Sequence, residues 1–136
     1  MIKPIMKSEF FLRLPSEDSG PDEAATGQDL LDTLLEHEHE CVGLAANMIG
    51  VRKRIICVKD GNRALLMYNP QILEQVNAYQ TSEGCLSLIG ERPCTRYRRI
   101  KVEYLDENFV HRIKNFSGYT AEIIQHEIDH CCGIVV

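Results

Sequence analysis

Near its C-terminal end the chain reads QHEIDH (residues 125–130), a pattern with chemical meaning in one conformation. On an α-helix, positions four apart share a face, so His126 and His130 aim both imidazoles at one point. In an extended strand the same side chains would stand roughly 13 Å apart. Glu127 follows the first histidine and points about a quarter turn away, where it addresses something bound to a metal rather than the metal itself. The fold must therefore supply a helix here, a partner surface that carries a third ligand, and a cleft between them.

The segment EGCLS (83–87) supplies a candidate. Cys85 follows Gly84, whose missing side chain allows close backbone approach, in a segment between two strand-like regions. Two imidazoles, one thiolate and an open position make a catalytic arrangement rather than a closed structural one. Two alternatives stay open at this point. A four-ligand zinc site would add Cys94, Cys131 or Cys132, although the two that directly follow His130 do not readily turn toward the same ion. Alternatively, Cys85 is a nucleophile with a histidine as base, which leaves the His-Glu spacing unexplained.

The rest of the chain reads as an α+β domain, with antiparallel sheets packed around a central C-terminal helix that bears the HExxH motif. SEDSGPDEAATG (16–27) is a loop, Thr26 and Asp29 suggest a capping box, and Leu30, Leu31, Leu34 and Leu35 recur at helical spacing to about Glu40. The helix end EHEHE (36–40) reads as solvated surface, because adjacent residues point to different faces. RIICV, ALLMY and QILEQV read as strands separated by DGN and NP turns, and residues 98–116 as a hairpin turning at 106–108. Thr120 is the expected N-cap of the last helix and Gly133 its stop.

Length and composition set bounds. The 136 residues suit one domain, 1–136, able to hold a core without disulfide staples. With 44% hydrophobic residues and no long apolar run, neither a membrane span nor a signal peptide is expected, so the six cysteines read as free thiols or metal ligands in a cytoplasmic protein. A net charge of −5 argues against direct nucleic-acid binding, although RPCTRYRRIK (92–101) holds five cations and reads as a solvated strand face or as a local site that grips a carboxylate or phosphate.

EGCLS together with QHEIDH is similar to the second and third signature motifs of the peptide deformylases. CVGLAANMIG (41–50) is similar to the first, usually G-V-G-L-A-A-P-Q followed by I-G. With LMYNP and the KVEYLD hairpin, the resemblance covers roughly residues 4–134. It implies a metallohydrolase that removes the formyl group from the N-terminal methionine of newly made polypeptides. It also implies one divalent ion, commonly Fe2+, with Zn2+, Ni2+ or Co2+ able to substitute. Its partners would be N-formyl-methionyl peptides and, weakly, the ribosome. Carried over residue by residue, Cys85, His126 and His130 are the metal ligands, Glu127 is the catalytic acid/base and the Leu86 N–H is an oxyanion donor. The peptide would lie as an added strand along Val42 and Gly43, beside Gly84, with Arg92 lining the cleft.

The first motif departs from the family pattern. Cys41 replaces glycine, Asn47 replaces proline, and Met48 stands at the catalytic position where the family has an oxyanion-donating glutamine. A thioether has no N–H, and losing one such donor typically costs about 100- to 1,000-fold in rate. Reduced activity is expected, with Asn47 as a substitute donor. The alternatives are a non-catalytic protein that binds peptide N-termini or metal, and a hydrolase of another N-acyl substrate.

Overall fold

Strands form where the sequence turns apolar and β-branched, and they assemble into one sheet. In the computed structural model, which describes residues 1–136, the antiparallel order is β1 (Gly43–Ala45), β2 (Ile55–Asp60), β3 (Arg63–Glu83), β4 (Arg92–Leu105) and β5 (His111–Ser117). Helices α1 (Glu9–Leu12) and α2 (Ala24–Glu36) precede the sheet, and α3 (Gly118–Cys131) follows it. The α+β arrangement around the C-terminal helix is the expected one, with a single sheet in place of several. No helix is long and apolar enough to cross a membrane.

ALLMY and QILEQV are not separate strands. Both lie in β3, and the Asn69-Pro70 pair read as a turn is a register shift between Tyr68 and Gln71. Pro70 cannot donate to a ladder, and a bulge is where a sheet tolerates that. Asn69 takes the left-handed conformation (φ 52°), and its side chain accepts from the Ser19 N–H at 2.7 Å while donating to the Ser19 carbonyl at 2.9 Å.

Helix α2 opens at Ala24, after a 3-10 turn at Pro21–Glu23, and ends at Glu36 rather than Glu40. Thr26 is inside it, and its hydroxyl donates back to Glu23. Leu30 and Leu34 are fully buried, whereas Leu35 is 46% exposed, so the leucine stripe that faces the core is narrower than its spacing suggests.

The N-cap position of helix α3 is Ser117, which makes no side-chain capping bond, rather than Thr120, whose hydroxyl donates to the Asp60 carboxylate at 3.0 Å. It is buried on nearly every side: Ala121, Ile124 and Ile128 pack in the core, and Gln125, His126, Glu127 and His130 are buried with them. A helix enclosed this way must satisfy its polar side chains internally. Gln125 does so as a strand would, accepting from the Tyr97 N–H and donating to the Tyr97 carbonyl, both at 2.8 Å, which docks α3 onto β4. The helix stops at Gly133 (φ 76°), with Gly133 N–H on the His130 carbonyl and Ile134 N–H on that of Asp129.

Gly27 lies inside α2 because Tyr68 lies against it. A methyl group there would overlap the Tyr68 hydroxyl and sit 2.8 Å from its ring carbon Cζ. Glycine to alanine in a helix normally stabilises by about 1 kcal/mol. Here Gly27→Ala is expected to destabilise by about 1–3 kcal/mol, the cost of overpacking, in urea unfolding. A gain in stability contradicts this packing.

Candidate active site

Helix α3 brings His126, Glu127 and His130 together, with one ligand atom from each within 4.8 Å of the others and all three side chains buried. The two Nε2 atoms are 3.2 Å apart. Two nitrogens each about 2.0–2.1 Å from one tetrahedral ion stand roughly 3.3 Å apart, so the pair fits a shared ion. His126 Nδ1 is 2.7 Å from Glu83 Oε1, which directs the proton to Nδ1 and leaves the Nε2 lone pair for a metal. Burial, then the neighbouring His126, lowers the His130 pKa to about 3, so this imidazole is neutral and able to ligate.

Glu83 is held in turn. Arg96, 3% exposed, donates to Glu83 through Nε and Nη2 and to Asp129 through Nη1, the shortest contacts being 2.7 Å. Burial opposes the charge on Glu83, but hydrogen bonds from His126 and Arg96 outweigh it and hold the carboxyl well below the usual range. At His126, burial is likewise outweighed by the bond to Glu83, and the pKa rises. On the other side, Glu122 accepts from the Tyr79 hydroxyl at 3.2 Å, and its hydrogen bond to Glu83, then burial, raises its pKa.

These groups open onto a cleft of about 560 Å³ whose walls include Val42, Gly43 and Met48 on one side and Gly84, Cys85 and Leu86 on another. Strand β1 is at the sheet edge, and its Gly43 lines this cleft with the preceding Val42. Gly43 has a packing reason to be glycine: a methyl group there would lie 2.7 Å from Ile123 Cγ2 and 2.9 Å from Glu127 Oε2. Cys85 lines the cleft without joining the tight His126-Glu127-His130 group. It sits in the irregular 84–91 segment, whereas the other three share one rigid helix.

Two residues, Arg92 and Asn47, take roles other than those expected. Arg92 does not line the cleft, and its guanidinium is 3.6 Å from Glu9. Asn47 is fully buried and its amide donates to the His130 carbonyl at 2.9 Å, so it is committed to the end of α3 and unavailable as a substitute donor. Met48 is 1% exposed, and its sulfur accepts from the Ala45 N–H at 3.5 Å. Burial raises Cys41 and Cys94 to about 11 and Cys57 and Cys131 to about 12, leaving neutral thiols. No cysteine joins the histidine group to close a four-ligand site.

Glu83 carries no expected role from the sequence, and Arg96 falls in the stretch read as a solvated strand face. Arg96 shares its strand parity with the buried Ile100, Val102 and Tyr104, a signal that it points inward. The EHEHE stretch leaves the helix after Glu36, so the helical-face argument lapses, and Glu38, His39 and Glu40 meet the cleft mouth.

A buried His-Glu-x-x-His helix backed by a carboxylate and facing an open cleft defines a metallohydrolase site on an α+β frame. Comparison with known proteins narrows the class: the family model described as polypeptide deformylase matches residues 7–136. The chain belongs to the polypeptide deformylase family, whose members use a single divalent metal. It is 50% identical to a peptide deformylase of Clostridium beijerinckii over 136 residues, all of both chains. Its fold is similar to a class I type b peptide deformylase of Acinetobacter baumannii with Met-Ala-Ser bound (TM-score 0.89, 30% identity, covering 99% and 97% of the two chains). A peptide deformylase from Thermotoga maritima is similar too (TM-score 0.89, 28% identity, covering 99% and 95%).

Burial raises the Glu127 pKa from 4.5 to about 7, with the charge on Glu83 adding to the effect. A carboxyl raised on folding contributes stability below its unfolded pKa and loses it as pH rises through the folded value. Glu127→Gln, which never ionises, is therefore expected to stabilise the metal-free protein by roughly 3 kcal/mol at pH 8 and by less than about 1 kcal/mol near pH 5. Urea unfolding with a chelator across this range measures the difference. A pH-independent difference contradicts the assignment.

Proposed function

We propose that this chain, acting as one domain in the cytoplasm, removes the formyl group from the N-terminal methionine of newly made polypeptides. One divalent ion, preferentially Fe2+ and replaceable by Zn2+, Ni2+ or Co2+, would be held by Cys85, His126 and His130. The observation that carries this reading is the 3.2 Å separation of the two Nε2 atoms beside Glu127 at the cleft wall. Such an ion supplies a water whose pKa is lowered from about 15.7 toward about 7.

The chain's own residues do the rest. Glu127, with a pKa near 7, accepts a proton from the attacking water and passes it to the departing amine as the C–N bond breaks, releasing formate and a free N-terminus. Leu86 lines the cleft, and its N–H would donate to the oxygen that gains charge. The open side of β1 at Val42 and Gly43 offers backbone groups to an extended peptide, as does Gly84 opposite. The Met-Ala-Ser bound to the Acinetobacter baumannii relative supports a methionine-first peptide as ligand. Ribosome association would be weak, and no membrane or direct nucleic-acid partner is needed.

Met48 makes turnover slow. Its sulfur takes the Ala45 N–H, the bond a glutamine carbonyl oxygen at this position would take, and that bond would leave a glutamine NH2 free to face the cleft. Met48→Gln is expected to raise deformylation of a formyl-methionyl peptide by up to about 100-fold, and Glu127→Gln to abolish it at unchanged metal content. The assay uses anaerobically prepared, iron- or nickel-loaded protein, beside an acetyl-peptide control. Binding of the formyl peptide without hydrolysis by wild type or Met48→Gln would instead support a peptide-binding protein, and preferred hydrolysis of the acetyl peptide another N-acyl substrate.

A further inference from the structure

The segment that carries Cys85 and Leu86 has almost no backbone support. Regular pairing of β3 with β4 ends at Glu83 and Arg92, and residues 84–91 between them form no helix or strand. One hydrogen bond reaches the backbone of this segment: Lys7 Nζ donates to the Leu86 carbonyl at 2.8 Å. Its turn relies on Gly90 in the left-handed conformation (φ 88°), and Ile89 is fully exposed. Cys85, Leu86 and Leu88 pack against the core, but a segment with so few backbone hydrogen bonds does not fix the orientation of two functional groups by itself.

Lys7 belongs to an N-terminal stretch, itself mostly irregular, that touches each of the segments building the site. Lys3 N–H donates to Thr33 Oγ1 at 2.9 Å, anchoring the stretch on α2. Met6 N–H donates to the Met48 carbonyl at 2.7 Å, and Ser16 N–H to the Cys131 carbonyl at the end of α3 at 2.9 Å. Glu9 meets Arg92 at the far end of the irregular segment, 3.6 Å away. The β1 wall, the Cys85 segment and the histidine helix come from distant parts of the chain, and residues 6–16 bond to all three.

We propose that residues 3–16 form a strap that sets the relative position of the three segments of the site, with Lys7 as the positioning residue for the Cys85-Leu86 segment. Lys7 does not line the cleft and touches no reacting group. Its ammonium fixes the Leu86 carbonyl, and through the backbone of that residue it orients the Leu86 N–H and the adjoining Cys85. The Arg92 pair with Glu9, which removes Arg92 from the cleft, is a second point of the same strap. In its effect on turnover the inference rests on the deformylase reading, and in the cobalt readout on the Cys85 ligation proposed with it, so a wild type without a cobalt–thiolate band overturns both.

The test compares Lys7→Met and Lys7→Arg in the full chain, loaded with cobalt, by two readouts. The first is the split between kcat and KM on a formyl-methionyl tripeptide. Lys7→Met is expected to lower kcat about 5- to 10-fold with KM nearly unchanged, and Lys7→Arg, which keeps a charged donor, to retain most of it. The second is the near-ultraviolet cobalt–thiolate charge-transfer band, which reports the approach of Cys85 and needs no turnover. It should weaken or shift in Lys7→Met and return in Lys7→Arg. Since the side chain is exposed, both variants should fold with wild-type melting temperatures. An unchanged band in Lys7→Met overturns the proposal, as does an arginine variant that behaves like the methionine one. If wild type hydrolyses no formyl peptide while the band still responds to Lys7, the reading of function fails and the strap stands.

Discussion

One guanidinium holds the architecture of the site together. Arg96, on β4, is almost wholly buried, and its two 2.7 Å contacts join Glu83 at the end of β3 to Asp129 on α3. Taking an arginine out of water costs several kcal/mol unless its donors are met, so this contact forces the helix and the end of β3 into one arrangement. Ionised Glu83 then accepts a hydrogen bond from Nδ1–H of His126, and the Nε2 edge of that ring turns toward His130. The orientation of the metal-binding face follows from a charge two contacts away.

The same burial separates the roles of the polar groups. His130 is neutral because its surroundings are dry and His126 is close, which suits a ligand. Glu127 rises to about 7 for lack of solvent, which suits a group that must both take and return a proton near neutrality. The closeness of Gly43 to Glu127 lets β1 approach without displacing that carboxylate. Glu127 and the β1 residue Gly43 thereby line one cleft, and Met48, whose thioether carries no N–H, belongs to the same wall.

What the sequence made legible was local. The i, i+4 histidines and the glycine stop mark α3 because helical phase is set within a few residues, and strand alternation marks β4 and β5 for the same reason. What it hid was relational. Arg92 was the arginine expected in the cleft by counting from Cys85, but pairing places it opposite Glu83 at the strand end, turned toward Glu9. Arg96, four residues on, is the arginine that matters, and a solvated strand face was the wrong description of it. Asn69-Pro70 has the composition of a turn, yet Ser19, fifty residues earlier in the chain, supplies the hydrogen bonds that let it remain within β3 as a bulge. Asn47 could be assigned as a donor only while its partner, the His130 carbonyl, was unknown.

The proposed metal centre depends on Cys85 completing what His126 and His130 begin, and Cys85 is the one proposed ligand that the helix does not carry. X-ray absorption at the zinc edge of the zinc-loaded protein resolves the point, because sulfur and nitrogen scatter at different distances. One sulfur at about 2.3 Å with nitrogen and oxygen neighbours at about 2.0–2.1 Å is the result expected of a Cys85-His126-His130 centre. A shell with no sulfur, or with two or more, would contradict it.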